Sequence, residues 1–131
     1  MRRRVRFYEV DGAGIVHFSC YFRYMEEAEY ELWRAAGLRA AALPGIGLPR
    51  VAASFDFRRP LRFEDEFEAR IRITSIREKS IAYTCVLTLG DETIATGTMT
   101  IACVRVAPGE PMKAIPWPAE IAERLEAAQA Q

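Results

Sequence analysis

Asp11-Gly12-Ala13-Gly14-Ile15-Val16-His17 separates a strand-like run from a long helix-like run, and its reading decides the fold. A carboxylate, three small residues and the chain's only histidine lead into a helix start. That order sets a titratable group beside backbone N–H groups able to stabilise an oxyanion, as acyl transfer requires. Upstream, Arg4 to Val10 alternates polar and apolar residues through Val5, Phe7 and Tyr8, the period of a half-buried strand. Downstream, from about Ser19 to Ala36, the period becomes helical: Phe18, Phe22, Met25, Leu32 and Ala36 form one row, and Tyr21, Ala28 and Ala35 widen it. Ser19 is the expected N-cap, and Gly37 stands where a left-handed C-terminal cap belongs. So broad an apolar face predicts a helix wrapped by other structure.

Beyond the helix, residues 38–50 hold Pro44, Gly45, Gly47 and Pro49 and read as a connecting loop. The signal then turns to strands: Val51–Arg59, Phe67–Ile76, Ile81–Leu89 and Thr93–Val106. Gly90-Asp91 marks a hairpin between the last two, and Arg77-Glu78-Lys79-Ser80 a turn between the middle two. Pro118 to Ala130 reads as a short amphipathic helix. Strand, long helix and about four antiparallel strands predict an α+β domain, its sheet curled around the helix. With no repeat or linker, 1–131 is expected to be a single domain.

Eighteen basic and eighteen acidic side chains cancel, which gives no global pull toward nucleic acid, and no nucleic-acid-binding motif is present. The three cysteines, Cys20, Cys85 and Cys103, lack C-x-x-C spacing and sit in apolar contexts, so they read as reduced core residues. With a single histidine, no zinc site of usual spacing can be assembled from these cysteines, and no metal is expected. No apolar run approaches the roughly 20 residues that span a membrane, and the basic N-terminus lacks a signal peptide's apolar core. A cytoplasmic protein is expected.

Asp11-x-x-Gly14-Ile15-Val16, followed by an aromatic-rich segment and Tyr21, resembles the hotdog-fold acyl-CoA thioesterases. The match is to the 4-hydroxybenzoyl-CoA thioesterase-like branch, which includes the Tol-Pal-associated acyl-CoA thioesterases and carries D-x-x-G-[IV]-V-[YWH] before its central helix. Pro60-Leu61-Arg62-Phe63-Glu64-Asp65 resembles the family's approach to a strand. Arg77-Glu78-Lys79-Ser80 resembles its basic turn, and Lys113-Ala114-Ile115-Pro116 its closing segment. The resemblance runs from about Val5 to Pro118. It implies a hotdog fold, subunits joined sheet edge to sheet edge in a homodimer or homotetramer, and sites at the dimer interface. It also implies acyl-CoA hydrolysis without metal or redox cofactor, CoA entering only as part of the substrate. One position, that of His17, departs from the pattern. Glu9 stands where many members have an acidic or hydroxyl residue two before the aspartate. His17 stands where Tyr or Trp is common, and relatives with a histidine here often place it one residue later, at Phe18.

Thioester hydrolysis needs a nucleophile or a base for water, and a site for the oxyanion. Asp11 is the expected catalytic carboxylate in either role, although Asp-Gly alone would mark only a turn. Gly12 and Gly14 let backbone approach a ligand, and the N–H groups of Val16, His17 and Phe18 are the expected oxyanion donors at the helix start. His17 is a second catalytic candidate or a pocket contact. Tyr21 is expected to bind substrate, with Tyr24 shared between core and pocket. Glu26 and Glu27 are reserve carboxylates, but beside Glu29 and Glu31 they read as a solvated acidic face. Arg77, Lys79 and Ser80 suit the phosphates of CoA by charge and by hydrogen bonding, and Arg58 and Arg59 are weaker candidates, for the nucleotide in a neighbouring subunit. The acyl group stays open between aryl and fatty chains, and the carrier between CoA and an acyl carrier protein. Two alternatives share these residues: hydration or dehydration of an enoyl thioester by His17 with Asp11 or Glu27, and acyl-CoA binding without catalysis.

Overall fold

The computed structural model describes residues 1–129. Its strands are β1 (Arg2–Arg4), β2 (Ile46–Gly47), β3 (Arg50–Phe57), β4 (Glu66–Ile76), β5 (Ser80–Leu89), β6 (Glu92–Ala102), β7 (Val104–Arg105) and β8 (Lys113–Ala114). Its helices are α1 (Phe18–Ala35) and α2 (Ala119–Gln129). The main sheet is antiparallel in the order β1-β4-β5-β6-β3, and β2-β7-β8 make a small second sheet. The long α1 lies against the main sheet, and the expected α+β hotdog architecture is present.

The sheet's inner face shows the period of two that the sequence carries. Phe67, Ala69 and Ile73 of β4, Ile81, Tyr83, Cys85 and Leu87 of β5, and Ala95, Met99 and Ile101 of β6 are buried against α1. Gly90, at φ 62°, closes the β5–β6 hairpin where it was expected. The cysteines are free thiols, Cys85 and Cys103 buried and Cys20 half-buried.

Several elements differ from expectation for visible reasons. The strand expected over Arg4–Val10 is only β1, and Phe7–Glu9 form a 3-10 turn that leaves Phe7 and Tyr8 74% exposed. The Glu9 carboxylate bonds the Arg6 N–H at 2.8 Å while the Glu9 N–H bonds the Arg6 carbonyl at 3.0 Å. This local pairing displaces the strand ladder. The helix begins at Phe18 and its N-cap is His17, whose Nδ1 accepts the Ser19 N–H at 3.3 Å, so Ser19 is already inside it. The expected C-terminal cap is present: Gly37 has φ 75°.

The buried face of α1 is also rotated. Phe18 is 62% exposed, while Tyr21, Tyr24, Met25, Ala28, Glu29 and Trp33 are buried. Tyr24 and Trp33 can be inside because their polar tips are paired, Tyr24 O–H with Glu9 and Trp33 Nε1–H with the Tyr83 oxygen at 2.9 Å. The acidic face expected at Glu26–Glu31 is likewise overturned. Glu29 is fully buried on Arg50, Glu26 is half-buried on the same arginine, and Glu27 bonds Arg3, leaving only Glu31 exposed. Two arginines from the sheet reach across to that face, and no local pattern announces them.

The strand expected over Thr93–Val106 breaks at Cys103, where β7 turns away to pair with β2 and β8. The loop over 38–50 contains a 3-10 turn, Ala40–Ala42, and β2. Of the helix expected over Pro118–Ala130, Ala119–Gln129 is helical, and Ala130 lies outside the described residues.

Candidate active site

The turn at residues 11–14 is built by its own hydrogen bonds. The Gly14 N–H donates to the Asp11 carbonyl at 2.9 Å, and the Asp11 N–H to the Ile15 carbonyl at 2.8 Å. Gly14 takes φ 79°, a left-handed conformation that costs a side-chain-bearing residue about 1–2 kcal/mol. One carboxylate oxygen of Asp11, Oδ1, accepts the Ala13 N–H at 2.8 Å, which fixes the side chain over the turn. Its other oxygen accepts nothing among the described residues.

Asp11 lines a cleft of about 460 Å³ together with Ile15, Val16, Phe18, Tyr21, Phe57, Arg58, Arg59 and Pro60. The wall is aromatic. Tyr21 packs edge-on against Phe57 at 4.9 Å and at a tilt against Phe55 at 5.8 Å, and Phe22 meets Phe55 edge-on at 5.2 Å. Burial pushes the Tyr21 phenol above its ordinary value, so it stays protonated; its oxygen accepts the Leu61 N–H at 3.4 Å, which leaves its O–H free to donate.

The expected oxyanion donors separate into two sets. The Val16 N–H is committed to the Leu61 carbonyl at 2.8 Å, and the His17 N–H to the Glu9 carbonyl at 2.9 Å. Phe18 carries the first N–H of α1, which no carbonyl of its own helix can reach, and it has no acceptor among the described residues. That N–H stands at the positive end of a helix of 18 residues. The first turn of α1 thus supplies one free donor beside a cleft that also holds Asp11.

His17 is placed differently. It is exposed, does not line the cleft, bonds Ser19 Oγ through Nδ1 at 2.8 Å and packs on the Phe18 ring at 4.7 Å. Arg77 and Lys79 are exposed and Ser80 half-buried in the β4–β5 turn, at the opposite end of the sheet from Asp11. Phe57, at the cleft, is in register with Ala95 and Ala95 with Leu87; Ser80 lies at the far end of that strand, roughly 23 Å away at about 3.3 Å per residue. Within one chain the turn and the carboxylate are therefore apart. Arg58 and Arg59, expected to serve a neighbour, line the Asp11 cleft of their own chain, Arg59 paired with Glu92. The sequence reading missed Ile15, Phe57 and Pro60. Pro60, which ends the run after β3, is the local signal that could have placed the cleft wall there.

The family model of the thioesterase-like superfamily matches residues 5–125. The chain is 38% identical over 76 residues to a 1,4-dihydroxy-2-naphthoyl-CoA hydrolase of Synechococcus sp. (strain CC9311), a match spanning 50% of each chain. Its fold superposes on the crystal structure of a hypothetical protein from Aquifex aeolicus with TM-score 0.88 and 30% identity, over 95% of this chain and 97% of that one. A gentisyl-coenzyme A thioesterase superposes with TM-score 0.84 and 27% identity, over 93% and 98% of the two chains.

Proposed function

The chain belongs to the thioesterase-like superfamily, and on that premise we propose that it hydrolyses acyl-CoA thioesters with Asp11 as the catalytic carboxylate. One observation carries the reading: the open Asp11 oxygen and the unpaired Phe18 N–H belong to residues lining one aromatic cleft. The thioester carbonyl binds with its oxygen toward the Phe18 N–H. Asp11 then takes a proton from water as the water oxygen bonds to the carbonyl carbon. Alternatively, its own oxygen attacks to form an anhydride that water later opens. The oxyanion is held at the helix start, the C–S bond breaks, and CoA leaves as the thiol after protonation. His17 and Glu27 are engaged with Ser19 and Arg3, which favours hydrolysis over hydration of an enoyl thioester.

The acyl group fits as an aromatic one. Tyr21 and Phe57 give ring edges for stacking, and two of the relatives are named for hydroxylated aryl-CoA substrates. Placement in the 4-hydroxybenzoyl-CoA thioesterase-like and Tol-Pal-associated branch rests on Asp11-x-x-Gly14-Ile15-Val16.

The functional unit is a homodimer, or a tetramer built from it. The outer edge of β3 has no partner strand among the described residues, and Val51 on it is 61% exposed. Antiparallel pairing of two β3 edges would carry Arg77, Lys79 and Ser80 of one copy to the cleft end of the other, where they suit the phosphates of CoA. Thiol release across short, long and aromatic acyl-CoAs, with double-bond absorbance followed on an enoyl-CoA, tests the reading. Thiol release greatest on aryl-CoA supports it; tight acyl-CoA binding with no thiol released over hours contradicts it.

A further inference from the structure

Asp11 and the Phe18 N–H can act on one carbonyl only at a fixed separation, yet the segment joining them is a largely exposed loop containing Gly12 and Gly14. Glu9 supplies a restraint from outside that loop. Its main-chain carbonyl accepts the His17 N–H at 2.9 Å and the Cys20 thiol at 3.7 Å, which ties the backbone two residues before Asp11 to the first turn of α1. The residue is only 6% exposed and its carboxylate is fully engaged. Oε1 accepts from Arg3 Nη1 at 3.0 Å, the Arg6 N–H at 2.8 Å and the Tyr24 O–H at 3.0 Å, and Oε2 accepts from Arg3 Nη2 at 2.8 Å. Arg3 lies over the Tyr24 ring at 5.1 Å and continues through Nε to Glu27 of α1 at 3.1 Å. One carboxylate therefore joins β1, the 3-10 turn and two turns of the helix.

A buried ion pair is a poor way to gain stability, since apolar side chains of the same volume often serve as well. What the bidentate pairing provides is geometry. Glu29 offers an internal comparison. It is the other buried carboxylate among the described residues, also held by an arginine, but neither it nor its partner Arg50 lines the cleft.

We infer that Glu9, locked by Arg3 and Tyr24, is a positioning residue that fixes the Asp11 carboxylate against the Phe18 N–H. The inference rests on the catalytic reading of Asp11. Because the alignment matters most in the transition state, loosening it lowers kcat and spares KM.

The test measures kcat, KM and melting temperature for Glu9→Gln, Tyr24→Phe, Glu29→Gln and Asp11→Asn on the best acyl-CoA. Glu9→Gln is expected to lose about tenfold or more in kcat with KM within about twofold, and Tyr24→Phe a few-fold in kcat alone. Glu29→Gln should keep full kcat at an equal or larger loss of melting temperature. Tyr24→Phe, which keeps the ion pair, decides the matter if Glu9→Gln does not fold. Full kcat in Glu9→Gln or Tyr24→Phe beside an inactive Asp11→Asn overturns the inference alone. So does a kcat loss that follows melting temperature equally in the Glu9 and Glu29 variants. An active Asp11→Asn removes the catalytic reading itself.

Discussion

Asp11 and Glu9 are two residues apart and do opposite work with the same functional group. Asp11 keeps one oxygen open in an exposed turn, while Glu9 has every oxygen engaged in the interior. Burial pushes the Glu9 carboxyl up, but the Arg3 hydrogen bonds, the Arg6 N–H and the Tyr24 O–H outweigh it and hold it below its ordinary 4.5. A carboxyl with a depressed folded value stabilises fully above its unfolded value, and that contribution is lost as pH falls through the folded one. Acid unfolding should therefore begin below about pH 4.5 in part through Glu9, and the stability of Glu9→Gln should vary less with pH there in denaturant titrations. Tyr83 gives a second residue-level prediction. Its oxygen is the acceptor for the buried Trp33 N–H, so Tyr83→Phe leaves that donor orphaned and should cost about 1–3 kcal/mol in urea unfolding. The turn at Asp11 was legible because a carboxylate before Gly-x-Gly and a helix is a local pattern. The partners of Glu9 and Glu29 were not, because Arg3 and Arg50 meet them only through the tertiary fold.

At the level of elements, β4, β5 and β6 followed the sequence closely because each has one buried face and a regular period. The N-terminal strand did not, because the bonds between Arg6 and Glu9 curl the chain after β1. The helix was legible as a helix, but its buried side was set by the curved sheet and by partners for Tyr24 and Trp33. Gly97 of β6 shows how an element shapes the cleft from behind. A Cβ there would stand 2.6 Å from the Phe55 ring, whose other faces pack on Tyr21, Phe22 and Phe57. Gly97→Ala should destabilise by about 1–3 kcal/mol in thermal melts, and should change the ranking of acyl-CoA substrates by shifting Phe55.

For the whole molecule, the two groups of expected site residues lie at opposite ends of one sheet, and the proposed site joins them through a second copy. No helix among the described residues is long and apolar enough to cross a membrane. The wild-type protein should sediment at twice the 14.8 kDa chain mass or a multiple of that. Ala53→Asp, which places like charges on the β3 edge, should yield monomers with a raised KM for acyl-CoA, because the turn proposed to hold the phosphates is lost from the site. This part is expected only through the family pattern, since one chain's periodicity carries no partner.

The most direct measurement is thiol release from a hydroxyaryl-CoA by purified wild-type and Asp11→Asn proteins of equal oligomer size and melting temperature. Loss of at least about a hundredfold in kcat is the predicted result. Turnover near the wild-type rate in Asp11→Asn would contradict the assignment.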